Sequence, residues 1–162
     1  MMMETFFSKF PDLPQKETRS ITILDESHGL EVGQYSFVES SCNKAGCDCR
    51  RAMIRVLGPG DRFYATLGYG WEDSKFYSDW IFEDEEFGEM VVGAHIYEMT
   101  PQTEHSDKLL SFFKGIVEDA SYANRIKSHY ELFKGKVANC SLPKKVRSPF
   151  GQKFFNRNMK EL

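Results

Sequence analysis

The chain has 162 residues, a length that suits one domain with a substantial core and is short for two. Aromatic residues make up 14% of the chain and the net charge is only −3, which favours a compact fold over disorder. No apolar run approaches about 18 residues, and the first 15 residues lack the basic start of a signal peptide. We therefore expect a cytoplasmic protein that does not contact a membrane.

The first half of the chain has the residue pattern of β-strands. We expect residues 1–18 to be a loosely ordered N-terminus. Segments rich in β-branched and aromatic residues then alternate with turn residues, which predicts an antiparallel meander. Four strands and one further candidate are predicted, at residues 19–24, 30–42, 47–57, 62–71 and 90–99.

The second half has the spacing of helices. A helix is predicted to begin at Asp73 or Ser74, followed by an acidic loop at 83–89. Another begins with Thr100 as cap and Pro101 in its first turn, and a last one ends at Gly135. The predicted fold class is α+β: a four- to five-stranded antiparallel meander sheet, packed on one face by C-terminal helices that include an αα-hairpin. The predicted single domain covers residues 19–135.

The predicted C-terminal tail, residues 136–162, is basic. From residue 134 to the end the chain has eight Lys or Arg residues and one acidic residue, so this part carries about +7 and the rest about −10. A basic tail on an acidic body could bind nucleic acid or an acidic protein, or fold back onto the body itself.

Three of the four cysteines lie close together, at Cys42, Cys47 and Cys49. In a reducing compartment, clustered cysteines more often bind metal or react than form disulfides. If residues 42 and 47 faced each other across a four-residue hairpin loop, residue 37 would lie opposite 52, and 40 opposite 49. One face of this ribbon would then be apolar (Tyr35, Phe37, Ala52, Ile54 and Val56), and the three cysteines would share the other with Arg51 and Met53.

Three converging thiols predict a metal site, with zinc as the expected ion because it takes thiolates in a tetrahedron. The predicted ligands are Cys42, Cys47 and Cys49, with His129 as the candidate for the fourth position. The alternatives for that position are Cys140, His28, His95, His105 and a bound water. A water ligand would leave an open site of catalytic type, whereas a fourth protein ligand would close it. Reactive thiols, or cysteines that are simply buried, remain alternatives to a metal.

Two arginines follow the cysteines directly. They could form an anion clamp, because guanidinium groups match phosphate and carboxylate. Alternatively, Arg50 forms a cross-strand ion pair with Glu39, and the charge of Arg51 offsets the thiolates. The aromatic segment that follows is expected to be core, or a ligand pocket with Glu72 and Asp73 as its polar groups; its aromatic side chains are Trp71, Phe76, Tyr77 and Trp80.

Four segments together resemble an uncharacterised family of bacterial proteins, over about residues 33–134. They are Tyr35-x-Phe37, the Cys42-x4-Cys47-Asp48-Cys49-Arg50-Arg51 segment, Tyr69-Gly70-Trp71-Glu72 with Phe76-Tyr77-x-x-Trp80, and Tyr122…Arg125…His129-Tyr130…Phe133-Lys134. Some members of that family end in a short zinc-binding SEC-C motif. The resemblance implies a conserved α+β domain and carries no established activity. Residues 144–158 have the composition of such a tail but contain no cysteine.

The sequence thus predicts a protein of unknown activity, and more specifically a zinc-stabilised, non-enzymatic binding module. No phosphate-binding loop, dinucleotide fingerprint or nucleophile elbow is present in it. One alternative is a metal-dependent hydrolase or thiol-redox enzyme that uses the same cysteines. Another is a nucleic-acid-binding accessory protein that acts through the tail at 136–162. The partner would be a protein or a nucleic acid.

Overall fold

A computed structural model describes residues 2–80 and 84–141, apart from the side chains of residues 14, 15 and 139–141. It contains a single six-stranded antiparallel sheet. The strands are β1 (Met3–Thr5), β2 (Arg19–Ile23), β3 (Gly33–Cys42), β4 (Arg51–Leu57), β5 (Phe63–Gly70) and β6 (Gly93–Ile96). The helices are α1 (Pro14–Glu17), α2 (Ser74–Trp80), α3 (Glu85–Met90), α4 (Ser106–Val117) and α5 (Ala120–Ser141).

The strands from β3 to β6 form a meander, in the order of the sequence. Both β1 and β2 pair with the free side of β3, β2 with its first half and β1 with its end. Helices α4 and α5 follow one another closely and pack on one face of this sheet, as an αα-hairpin. The predicted α+β class with a meander sheet is therefore confirmed.

The apolar face of the β3–β4 ribbon is the centre of the core. Its five predicted side chains are all buried and belong to one cluster with residues of α4 and α5. Phe37 stacks on Phe113 of α4 with ring centroids 5.6 Å apart, and Ile126 of α5 joins the same cluster. The alternation of side chains thus predicted correctly which residues face the helices.

The pairing of β3 with β4 differs from the predicted register. Phe37 lies opposite Val56 and Ser40 opposite Met53, so the strands are displaced by four positions and residues 43–50 form a longer loop. A displacement by an even number of residues keeps every strand side chain on the same face of the sheet. The prediction of which residues share a face was therefore correct, although the predicted register was wrong. The longer loop has left-handed backbone at Gly46 and Arg50, where φ is 75° and 46°.

The N-terminal segment is more ordered than the sequence predicts. Within residues 1–18, β1 pairs with β3 so that Met3 lies opposite Cys42, and Phe6 is fully buried. Phe6 packs in a small cluster with Phe133 and Val137 of α5. The partners of Phe6 are distant in the sequence, so no local pattern reveals this packing. The helix α5 also runs past the predicted boundary at 135, and the basic tail beyond residue 141 lies outside the described residues.

One helix was not predicted, and another begins later than predicted. The predicted acidic loop contains α3, because the Asp84 carboxylate accepts a hydrogen bond from the backbone N–H of Phe87 at 3.0 Å and caps the helix. The helix predicted to begin at Thr100 begins instead at Ser106. The start of α2 is as predicted: the carboxylate of Asp73 accepts from the N–H of Phe76 at 2.8 Å.

The segment before α4 closes a gap in the sheet. Strand β6 ends at Ile96, and beyond it the side-chain amide of Gln102 bonds to both backbone groups of Thr66 in β5. Its oxygen accepts from the N–H at 3.2 Å, and its nitrogen donates to the carbonyl at 2.8 Å. The Thr66 carbonyl also accepts from the backbone N–H of Tyr97 at 3.0 Å, so Gln102 adds to the end of the β6 pairing and provides the acceptor for the Thr66 N–H. In the part of the chain that the structure describes, no helix combines the length and apolar character needed to cross a membrane.

Candidate metal centre

The end of β3 and the loop at 43–50 bring three sulfur atoms together. The Sγ atoms of Cys42, Cys47 and Cys49 all lie within 4.8 Å of one another. The three residues are 0%, 3% and 1% exposed. Thiolates bound tetrahedrally to zinc at about 2.3 Å stand roughly 3.8 Å apart, so small side-chain movements would bring these sulfurs to an ion.

The backbone of the loop is bent so that one of its N–H groups donates a hydrogen bond to a cysteine sulfur. Gly46 adopts a left-handed conformation, which closes a turn in which the N–H of Cys47 bonds to the carbonyl of Lys44 at 3.2 Å. The N–H of Lys44 in turn points at the sulfur of Cys42, 3.4 Å away. A backbone donor aimed at sulfur stabilises its thiolate form.

Helix α5 holds the first half of this loop. The ammonium group of Lys134 donates to the carbonyl of Cys42 at 3.0 Å and to the carbonyl of Lys44 at 2.8 Å. The hydroxyl of Tyr130, one turn earlier, accepts from the N–H of Arg50 at 3.1 Å and lies 3.9 Å from the sulfur of Cys49. The helix therefore contacts the loop on both sides of Cys47.

Arg50 fastens the second half of the loop. Its guanidinium forms an ion pair with Asp48 at 2.8 Å and another with Glu72 at 3.2 Å, and it lies over the ring of Phe76 at 4.8 Å. The expected cross-strand pair between Arg50 and Glu39 is not formed, because the actual register leaves Arg50 outside the strand. Glu72, which one of the two interpretations of its segment places in a ligand pocket, is thus a partner of this loop.

Tyr77 of α2 completes the attachment. Its hydroxyl donates to the carbonyl of Arg50 at 2.6 Å and accepts from the N–H of Glu72 at 3.2 Å. This close approach requires glycine at Gly70, since a Cβ there would lie 2.7 Å from the Tyr77 hydroxyl and 2.1 Å from the Val91 carbonyl. The two most specific segments of the sequence, around residues 47–51 and 69–80, therefore form a single unit around the cysteines.

The three thiols differ in their affinity for protons. Hydrogen bonds from the thiols of Cys47 and Cys49 lower the pKa of Cys42, with further help from the Lys44 N–H and the charge of Lys134. The pKa values of Cys47 and Cys49 are raised, chiefly by their interaction with Cys42, with burial adding to the rise. Of the three thiols, Cys42 therefore ionises most readily, and a divalent cation that binds the cluster would displace the protons of the thiols it ligates.

His129 does not join this group. Its Nδ1 lies 2.8 Å from a carboxylate oxygen of Glu39, its Nε2 contacts the carboxylate of Glu17, and its ring stacks on Phe6 at 4.1 Å. Both ring nitrogens are thus engaged with carboxylates, so these contacts do not support His129 as the fourth ligand. A histidine on the apolar side of a helix packs in this way more often than it binds metal.

None of the other candidates for the fourth position joins the three cysteines within the described residues. His28 lies against Phe112, and the Nδ1 of His95 bonds to the carbonyl of Gly93. His105 packs near Tyr64. The side chain of Cys140 falls outside the described residues.

The residues that hold the loop were not identified from the sequence as site residues. The partners of Lys134 and Tyr130 lie between 80 and 92 positions away in the chain, and no spacing rule connects them. The available signal was weak: both residues belong to the last of the four segments that carry the family resemblance. Local patterns predict which residues share a face, but they do not predict which distant helix reaches a loop.

Comparison with known proteins identifies no relative. No protein-family model matches the chain, and no curated protein and no solved structure matches it. The resemblance of the four segments to a bacterial family therefore stays an expectation.

Proposed function

We propose that the protein is a zinc-stabilised binding module in which Cys42, Cys47 and Cys49 hold one zinc ion. The ion would fix the loop at 43–50 and serve structure rather than catalysis. One observation carries the proposal: three buried cysteines lie with their sulfurs within 4.8 Å of one another. Hydrophobic packing alone does not require three thiols at one point.

The chemistry of the cluster favours a soft ion such as zinc over magnesium or calcium. Thiolate is a soft ligand that zinc binds strongly, whereas magnesium and calcium require oxygen ligands. Zinc with three thiolates would carry a net charge of about −1. Two basic groups act on the cluster to offset this charge, because Lys134 favours the ionised form of Cys42 and Arg51 that of Cys49.

The surroundings of the sulfurs favour a structural role. Reactive cysteines occupy partly exposed positions from which they can attack a substrate. These thiols are instead buried in a cluster with Trp80 and Tyr130, and Met3 and Trp71 pack against it. A thiol-redox enzyme would need at least one of them to reach solvent.

Zinc content tests the proposal. In protein purified without added metal, elemental analysis should find about one zinc per chain, and Cys47→Ser should lose most of it. Ser41→Ala is the matched control, because Ser41 is buried beside Cys42 but offers no thiol. Less than about half an equivalent of zinc in wild type, with all thiols reacting freely, would rule the proposal out.

Cobalt substitution identifies the fourth position. Thiolate-to-cobalt charge-transfer bands grow with the number of bound sulfurs, so their intensity counts the thiolates around the ion. Equal intensity in wild type and Cys140→Ser would indicate three sulfurs and a non-thiol fourth ligand. A lower intensity in Cys140→Ser would place Cys140 in the site and close it.

A further inference from the structure

A cavity of about 520 Å³ lies beside the face of the sheet opposite α4 and α5. Its wall is mostly apolar, and this volume is within the usual range for small-molecule sites. Its lining includes Arg51 from β4 together with apolar and aromatic side chains from two other segments. These are Phe87, Met90 and Val91 from α3 and its end, and Tyr97 and Met99 from the segment after β6. The three cysteines do not line it.

Arg51 is the unusual residue of this cavity. It is only 8% exposed, and its guanidinium carbon lies 5.0 Å from the ring centroid of Trp80, 5.6 Å from that of Phe87 and 5.5 Å from that of Tyr97. Three aromatic faces stabilise its positive charge. These ring contacts provide no hydrogen-bond acceptor for its five N–H groups, which donate within the plane of the guanidinium.

No residue in the described ranges, 2–80 and 84–141, gives this guanidinium a hydrogen bond or an ion pair. The neighbouring Arg50, by contrast, pairs with Asp48 and Glu72. A charge that is mostly buried without an anionic partner is costly, so an arginine as little exposed as this one normally has a carboxylate beside it. The charge of Arg51 also acts on Cys49, but no thiol among the described residues accepts a hydrogen bond from it, and the guanidinium lines the cavity, from which a carboxylate could reach it.

We propose that this cavity binds a small organic monocarboxylate with an apolar body, and that Arg51 pairs with its carboxylate group. The planar guanidinium offers two parallel N–H bonds, which match the two oxygens of a carboxylate. The aromatic and methionine side chains of the wall would cover the apolar body. Arg51, for which an anion clamp is one of the two roles considered from the sequence, would thus be the anchor, whereas Arg50 has its own partners.

An acidic residue at the rim of the cavity favours anions with a single charge. Glu98 lies in the lining and is exposed, and it forms no ion pair with Arg51 among the described residues. Its negative charge at the rim would repel an ion with two or more charges more strongly than one with a single charge. A monocarboxylate is therefore favoured over inorganic phosphate.

This inference deepens the binding half of the proposed function and does not depend on the zinc. The test uses the full chain with its metal and 4-fluorobenzoate as the probe, observed through ¹³C-labelled methionine methyl groups. Signals from Met90 and Met99 should shift saturably, with a dissociation constant of about 1 mM or below. Benzyl alcohol lacks the charge and phosphate lacks the apolar body, so each should bind at least about tenfold more weakly.

Variants of Arg51 test the anchor. Arg51→Gln should weaken fluorobenzoate binding by about tenfold or more, and Arg51→Lys should weaken it by less, because lysine keeps the charge but loses the planar fork. Arg55→Gln is the matched control, since Arg55 is on the same strand and face but exposed, and its affinity should equal that of wild type. If Arg51→Gln does not fold, Arg51→Lys decides the question.

The outcomes separate this inference from the proposed function. Shifts of Met90 and Met99 that benzyl alcohol reproduces at the same concentration, or that folded Arg51 variants leave unchanged, would overturn it. So would the absence of any shift in protein that contains its zinc, and the metal proposal would then still stand. Saturable, Arg51-dependent binding in protein that contains no zinc would support the cavity and reject the metal.

Discussion

At the scale of single residues, His129 has a clear structural role. Glu39 is a carboxylate on the core face of β3, almost fully buried, and His129 lies against it. An isolated buried carboxylate is strongly unfavourable, and a protonated histidine beside it removes most of that cost. Burial alone would lower the pKa of His129, but hydrogen bonds and charges from Glu39 and Glu17 outweigh it and raise that pKa.

The raised pKa gives folding a pH dependence. The stabilisation from His129 is complete below the pKa of an unfolded histidine, about 6.5, and is lost as pH rises through the higher value of the folded state. We therefore expect the free energy of unfolding of wild type to fall between about pH 6 and pH 9. The measurement is chemical denaturation at a series of pH values, with zinc saturating throughout.

His129→Gln should remove this dependence. At pH 6 we expect a loss of about 3 kcal/mol, because Glu39 is left buried without a cation, and a smaller loss at pH 9. His28→Asn changes an exposed histidine and is the control. If His129→Gln and wild type lose stability in parallel as pH rises, the role assigned to the pair is wrong. The variant should also keep its zinc, since His129 contacts carboxylates and not the cluster.

At the scale of elements, the N-terminal segment is part of the folded domain. Phe6 packs against α5, stacks on Phe10 at 4.8 Å and lies over His129. We expect Phe6→Ala to lower the free energy of unfolding by about 3 to 5 kcal/mol, because it leaves a cavity in a closed cluster. Thermal or chemical denaturation measures this, with the exposed Met2→Ala as control. A loss below about 1 kcal/mol would mean that the segment is loosely held, as the sequence predicts.

Elements with a clear period could be predicted from the sequence, and their pairing could not. The strands from β2 to β6, the αα-hairpin and the apolar face of β3–β4 follow from local alternation and helical spacing. The register of β3 and β4 could not be predicted in this way. A displacement by four residues keeps every side chain on the same face, so the alternation of apolar and polar residues is the same in both registers. For the site, the three cysteines could be predicted, but Lys134, Tyr130 and Tyr77 reach them through distant contacts.

At the scale of the whole molecule, the loop at 43–50 connects three separate parts of the fold. Lys134 and Tyr130 attach it to α5, Tyr77 and Glu72 attach it to the α2 region, and the pairing of β1 with β3 ends at Cys42. A metal ion in this loop would therefore stabilise contacts that extend well beyond its ligands.

Removing the metal should consequently loosen one end of the sheet first. With free zinc at about a thousand times its dissociation constant, binding contributes about 4 kcal/mol to stability, which a chelator would remove. In hydrogen-exchange measurements, the amides of residues 42–51 should lose protection, while those of 53–57 keep it. Cys47→Ser provides the control, since the chelator should not alter it. Equal loss along the whole of β4 would contradict this account.

The amide of Gln102 has a consequence for how copies of the protein behave towards one another. An open strand edge is a template on which a second chain can add, and this leads to aggregation. Gln102 bonds to both backbone groups of Thr66, and the hydroxyl of Thr103 donates to the carbonyl of Tyr64, so the two side chains together cover this edge of β5. Gln102→Ala should therefore increase light scattering on mild heating, while Gln34→Ala, at an exposed position of β3, should not. Polar side chains from outside the sheet would thus limit strand pairing between copies at this edge.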